Sequence, residues 1–183
     1  MQVREATGQE RDHAVAALFA AHYPGLVRLA YLLTSDNALA EELAQEAFVV
    51  VWKSWDKLRD GDAALAYLRG TVANLAKMSL RRRVLELKHR VAGPRETVDG
   101  DAGGRLDLEQ AVAQLPMRKR SCVVLRYFLD LSEEDTARTL GISVGTVKSS
   151  TARALKDLER HLEGSGYERL RPDRRGGESD AAV

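Results

Sequence analysis

The side chains that could do covalent or metal chemistry are few and dispersed. His13, His22, His89, His161 and the single cysteine, Cys122, fall in separate stretches. No carboxylate pair stands at a convincing spacing, and there is neither a glycine-rich phosphate loop nor a nucleophile elbow. The expectation is a non-enzyme with no catalytic residue, no metal site and no cofactor. The informative chemistry is that of recognition. In "GISVGTVKSSTARAL", residues 141–155, Ser143 suits a helix N-cap, and Val147, Ala154 and Leu158 mark a buried side. At about 100° per residue, Thr146, Ser149, Arg153 and Lys156 share the opposite face, flanked by Lys148 and Ser150. Short hydroxyls near a helix N-terminus let the backbone approach base edges in a major groove, and long cations reach bases or phosphates. An ordinary solvated face is the bland alternative, and the capped helix preceding this one favours DNA recognition over it.

Two further stretches carry mixed faces. "ALAEELAQEAFVVVWKSW", residues 38–55, places Leu39, Leu43, Ala47, Val50 and Val51 on one side of a helix. The other side has Glu41, Glu42, Gln45 and Glu46 but also Val49 and Trp52, an apolar centre with a charged rim that suits protein binding. Trp52 packing on a neighbouring helix is an equal alternative. "AALAYLRGTVANLAKMSLRRR", residues 63–83, buries Leu65, Leu68, Val72, Leu75 and Ala76. Its opposite arc presents Tyr67, Asn74, Lys77, Met78 and Arg81, with Arg82 and Arg83 following. A ring to stack, an amide to read an edge and cations for phosphates fit unpaired bases, although the helix dipole alone also favours a basic end.

The elements that must position these faces read as helices throughout. Alanine, leucine, arginine and glutamate dominate, and only four prolines occur in 183 residues. Residues 9–92 form one expected helical lobe and 106–163 a second. Between them, residues 93–105 ("GPRETVDGDAGGR") have the composition of a flexible linker, and 164–183 that of a disordered tail. In the second lobe, Leu106 to Gln114 is expected to be a helix closed by Pro116, and another runs from about Arg118 to Leu129. A short helix then starts at Ser132, with Asp135 completing a capping box, and stops at Gly141. Ser143 starts the next almost at once, which is the helix-turn-helix pattern. The net charge of +1 hides segregation: acids at Glu41, Glu42 and Glu46, bases from Lys77 through Arg90. A lone Cys122 in an apolar helix reads as a buried thiol. The absence of a signal peptide, and of an apolar run of about 18 residues, leads us to expect a cytoplasmic chain with no membrane partner.

Taken together, "AEELAQEAF" followed by Trp52, then "LRRR", a linker, and "LP…R…VVLRYFLDLSEEDTARTLGISVGTVKS" resemble a bacterial RNA polymerase sigma factor. The similarity covers about residues 14–163 and is greatest to the extracytoplasmic-function (ECF) group, short actinobacterial type. The resemblance implies an all-α fold of two small domains, σ2 and a helix-turn-helix σ4, on a flexible linker. It implies that Glu42, Gln45, Glu46, Val49 and Trp52 dock on the clamp helices of the largest polymerase subunit, while the flap of the second largest subunit is a further contact. It implies that Asp56, Arg59, Asp62, Tyr67, Asn74, Lys77 and Arg81 serve the −10 element, with an extruded base captured from the melted strand. Residues 56–62 would form the capturing loop. Arg118, Thr146, Lys148, Ser149, Ser150, Arg153 and Lys156 would serve the −35 duplex, with Lys119 and Arg120 helping Arg118 on phosphates. An anti-sigma factor is a further implied partner. The chain departs from many relatives at Ser150, where a larger basic or amide side chain is common, at Ser79, and in "RGTVAN". The rival reading is a stand-alone helix-turn-helix regulator whose first lobe senses or dimerises.

Overall fold

A computed structural model describes residues 8–58, 61–89 and 105–163. Seven α-helices account for almost all of it, and no strand occurs among the described residues. The order is α1 (Gly8–Thr34), α2 (Asn37–Ser54), a 3-10 turn (Trp55–Lys57), α3 (Gly61–His89), α4 (Arg105–Gln114), α5 (Met117–Val123) with a π-helical extension (Val124–Phe128), α6 (Glu133–Leu140) and α7 (Val144–Glu163). The expected linker, apart from Arg105, and the expected tail lie outside the described residues. Residues 56–62 are not one loop: α3 begins at Gly61, so Asp62 belongs to its first turn.

Local chemistry sets the helix ends. The Asp36 carboxylate accepts from the Leu39 amide at 2.9 Å and starts α2. The Ser132 hydroxyl accepts from the Asp135 amide at 2.9 Å, the reciprocal side-chain contact closes at 2.6 Å, and α6 follows. Gly141 ends α6 with φ of +62°, a left-handed conformation that glycine adopts without Cβ strain. Its amide bonds back to Arg138 and the Ile142 amide to Ala137, so orphan carbonyls of α6 are satisfied. Ser143 then caps α7 through the Thr146 amide at 3.2 Å. The π-helical step, where the Leu129 amide reaches Val124, lets the chain leave α5 ahead of this pair.

The first bundle packs α1, α2 and α3 around Leu26, Leu29, Leu33, Leu43, Val51, Leu68 and Val72. The second packs α4, α5 and α6 against α7, with Leu115, Leu125, Val147 and Ala154 fully or almost fully buried. The two bundles touch: α1 meets α4, α5 and the π-helical turn, and α3 meets α6. By length and composition α1 could cross a membrane, which corrects the reading that no segment is long and apolar enough. Its Leu26, Leu29, Ala30 and Leu33 face the protein core. Cys122 is a buried free thiol, as expected.

Asp36 also receives Arg83 of α3 at 2.7 Å. The Leu39 amide first, and then Arg83, hold its carboxyl below the ordinary 3.8. Its stabilising contribution is therefore complete above about pH 4 and is lost as pH falls through the lowered folded value. Asp36→Ala should cost about 1 kcal/mol in urea unfolding at neutral pH. Asp36→Asn should keep the cap and lose only the acid-dependent part. Equal urea midpoints for wild type and Asp36→Ala at neutral pH would contradict this account.

Candidate nucleic-acid interface

Gly141 and Ser143 fix where α7 starts, and Val147, Ala154 and Leu158 bind it to its own bundle. Lys148, Ser149, Arg153 and Lys156 are consequently exposed together, with Thr146 half-buried at the N-terminal end. The Thr146 hydroxyl shares a 2.8 Å bond with Ser143, and the Ser149 hydroxyl donates to the Thr146 carbonyl at 3.2 Å. Lys148 lies 3.4 Å from Glu133 of α6. Arg153 and Lys156 have no side-chain partner among the described residues. This is a polar, cationic ridge on a helix whose N-terminal turn carries short hydroxyls.

Ser150 departs from the expected face. It is only 6 % exposed and packs against the Cys122 thiol, which burial pushes up against a weaker opposing hydrogen bond from Ser150. A hydroxyl facing the bundle cannot reach a groove, so Ser150 is a packing residue. Arg120 is a second correction. Expected on phosphates, it is 9 % exposed and its guanidinium donates to the Leu33 carbonyl at 2.6 Å, to Ala113, and to Leu115 at 3.2 Å. One cation thus covers C-terminal carbonyls of α1 and of the α4 end, where the helix dipoles also favour positive charge. Burial lowers its proton affinity, and a guanidinium stays charged regardless. Lys119 is held by Asp157 of α7. Of the three basic residues only Arg118 is exposed.

On α3, Leu68, Val72 and Ala76 are buried while Leu65 and Leu75 are half-buried, so the opposite arc points outward. Tyr67, Asn74, Lys77, Met78 and Arg81 are all exposed along it. Asp56 is exposed at the 3-10 turn; Arg59 and the Asp62 side chain lie outside the description. On α2, Glu42, Gln45 and Glu46 are exposed, with Val49 50 % and Trp52 39 % open. Both readings of Trp52 hold in part. Its indole N–H donates to Asp12 at 2.7 Å, and Arg11 lies over its ring at 4.0 Å, yet an edge remains open.

Residues 18–85 match the model of Sigma-70 region 2, and residues 105–158 match Sigma-70, region 4. The RNA polymerase sigma-E factor of Streptomyces avermitilis is 38 % identical over 75 % of this chain and 79 % of its own. The ECF RNA polymerase sigma factor SigM of Mycobacterium tuberculosis is 33 % identical over 82 % of this chain and 78 % of its own. This chain belongs to the ECF group of sigma-70 factors. It is therefore an RNA polymerase sigma factor for transcription initiation, and the stand-alone regulator is not favoured. A solved complex of the sigma factor RpoE with the anti-sigma factor NepR, from Bartonella quintana, has the same fold. It has a TM-score of 0.68 at 24 % identity, covering 81 % of this chain and 96 % of that one.

The sigma factor also has surface residues that the sequence did not single out. Phe19 of α1 is exposed and stacks on Tyr23 at 4.4 Å, beside Phe48 of α2 at 5.0 Å. Tyr23 in turn meets Gln45 at 3.5 Å. Asp12 and Arg11, which orient Trp52, are 40 residues or so from it in the chain, and no local pattern links them.

Proposed function

We propose that the sigma factor divides promoter work between the α7 ridge and the α3 arc, with α2 gripping polymerase. Arg153, Lys156, Lys148, Ser149 and Thr146 would read and hold the −35 duplex, with Arg118 on a phosphate. Tyr67, Asn74, Lys77 and Arg81 would engage the −10 element as it melts, Asn74 reading an extruded base and the cations holding the strand. Asp56, Arg59 and Asp62 would complete that site. Glu42, Gln45, Glu46, Val49 and Trp52 would bind the clamp helices of the largest polymerase subunit, and the second domain its flap partner. Residues 9–92 and 106–163 would act as the two domains, on a linker at 93–105. The exposure of Tyr67, Asn74, Lys77 and Arg81 on one arc of α3 is the observation that most supports this reading.

RNA synthesis belongs to the polymerase; this subunit positions and opens DNA, in the cytoplasm where the polymerase works. An anti-sigma factor would silence it by covering these faces. The fold shared with a sigma factor solved in such a complex supports that partner. The deciding experiment mixes the purified chain with sigma-free core polymerase and genomic fragments and maps the 5′ ends made. Discrete starts sharing two upstream elements are expected. Their absence, with tight duplex binding by the free chain, would return the case to a stand-alone regulator. Within that assay, Asn74→Ala should reduce promoter opening about tenfold with duplex binding little changed, the cost of one lost base-edge contact. Permanganate reactivity of unpaired thymines reads opening. Equal loss of opening and duplex binding would refute the flipped-base role.

A further inference from the structure

We infer that Arg11 and Asp12 of α1 are positioning residues for polymerase docking: they fix the Trp52 ring in the pose that the polymerase meets. This role rests on the docking proposed above for α2. α2 runs back along α1, so the first turns of α1 lie beside the last turns of α2. There the Asp12 carboxylate accepts from the Trp52 indole N–H at 2.7 Å, and the Arg11 guanidinium lies 4.0 Å from the ring centroid. A bond at the ring edge sets where that edge points, and a cation over the face sets the plane. Together they take both side-chain rotations from an exposed indole. Arg11 and Asp12 also hold each other, at 3.5 Å. The Arg11 Nε is buried without a hydrogen-bond partner among the described residues, an arrangement that trades a polar contact for one with the ring.

The first half of α1 has little core of its own, because its buried residues begin at Leu26. Arg11 and Asp12 also precede residue 18, where the match to Sigma-70 region 2 begins, so family resemblance assigns them no part. Yet they do not seal Trp52. The ring stays partly open, one turn from exposed Val49, with Glu42, Gln45 and Glu46 exposed on the same helix. With its N–H spent on Asp12 and one face under Arg11, the ring offers a partner an apolar face and edge. The polymerase group that meets it is therefore apolar rather than a hydrogen-bond acceptor. An indole left to rotate would be in the docking pose for only part of the time, and apparent affinity falls by that fraction. Ordering one such side chain on binding corresponds to about three- to tenfold in affinity.

Affinity for core polymerase, measured with the full-length chain and its variants, tests this role. Asp12→Ala and Arg11→Ala should each weaken core binding about three- to tenfold. Asp12→Asn, whose amide oxygen still accepts from the indole, should recover most of that loss. Trp52→Phe has no N–H for Asp12 to hold, so Asp12→Ala should change nothing further in that background. Fraying of α1 would instead cost the same in both. A second readout is exchange of the indole N–H by NMR, the Trp52 signal being the one missing from Trp52→Phe. It should exchange about tenfold faster in Asp12→Ala than in wild type. Equal losses in the two backgrounds, tighter binding without Arg11, or an unchanged exchange rate in Asp12→Ala overturns the positioning role. Trp52→Ala keeps that role apart from docking itself and should weaken core binding about tenfold or more. A loss there beside wild-type affinity in Asp12→Ala and Arg11→Ala refutes positioning alone. Wild-type affinity in Trp52→Ala refutes docking through this ring, and the positioning role with it.

Discussion

Arg153→Ala is expected to lower promoter-directed transcription about ten- to hundredfold while leaving affinity for core polymerase unchanged. The side chain is exposed in the middle of the α7 ridge and has no partner among the described residues, so its removal breaks no internal contact. The helix itself is anchored by Val147, Ala154 and Leu158 on the other side. The loss should therefore fall on DNA binding alone. A phosphate contact would lower the salt slope of binding by about one, evenly across sequences, whereas a base contact would relax preference at one −35 position. Lys148 is a weaker probe, because Glu133 already engages it. Reduced core affinity in Arg153→Ala would contradict the division of labour between α7 and α2.

Much of this was legible because helix ends and helix faces are written locally. Ser132 with Asp135, Gly141 in a left-handed conformation and Ser143 each act within four residues, and each stands where its chemistry places it. Periodicity likewise separates Leu68, Val72 and Ala76 from Tyr67, Asn74 and Lys77 on α3. What periodicity gives is an angle around an axis. It does not say how far a neighbouring helix wraps around that axis. Ser150 sits at the flank of the polar face, and α5 happens to reach it through Cys122, so a residue that reads as groove-facing is buried. Asp12 and Trp52 meet across 40 residues, a contact of tertiary packing with no sequence period. The π-helical step after α5 adds a phase shift that no apolar spacing announces.

Arg120 shows the same limit with a larger consequence. Next to Arg118 and Lys119 it reads as one of three phosphate contacts, yet its guanidinium serves carbonyls of Leu33, Ala113 and Leu115. Arg120→Met fits the apolar surroundings but leaves those acceptors without their donor. At about 0.5–1.5 kcal/mol for each bond, the expected loss is about 2–4 kcal/mol. For a chain of this length that lowers the melting temperature by about 5–15 °C. Arg120→Lys separates capping from charge. An ammonium keeps the positive charge and would sustain a phosphate contact, but it lacks the planar fork that reaches several carbonyls at once. Both variants should therefore be destabilised, and their folded fraction should bind promoter DNA with the salt slope of wild type. A lysine variant with wild-type melting and a methionine variant with a shallower salt slope would return Arg120 to the DNA face. The capping account also ties stability to the contact between the two bundles, because Arg120 belongs to α5 and the Leu33 carbonyl to α1. Arg120→Met should accordingly loosen the two bundles from each other at temperatures where each remains helical.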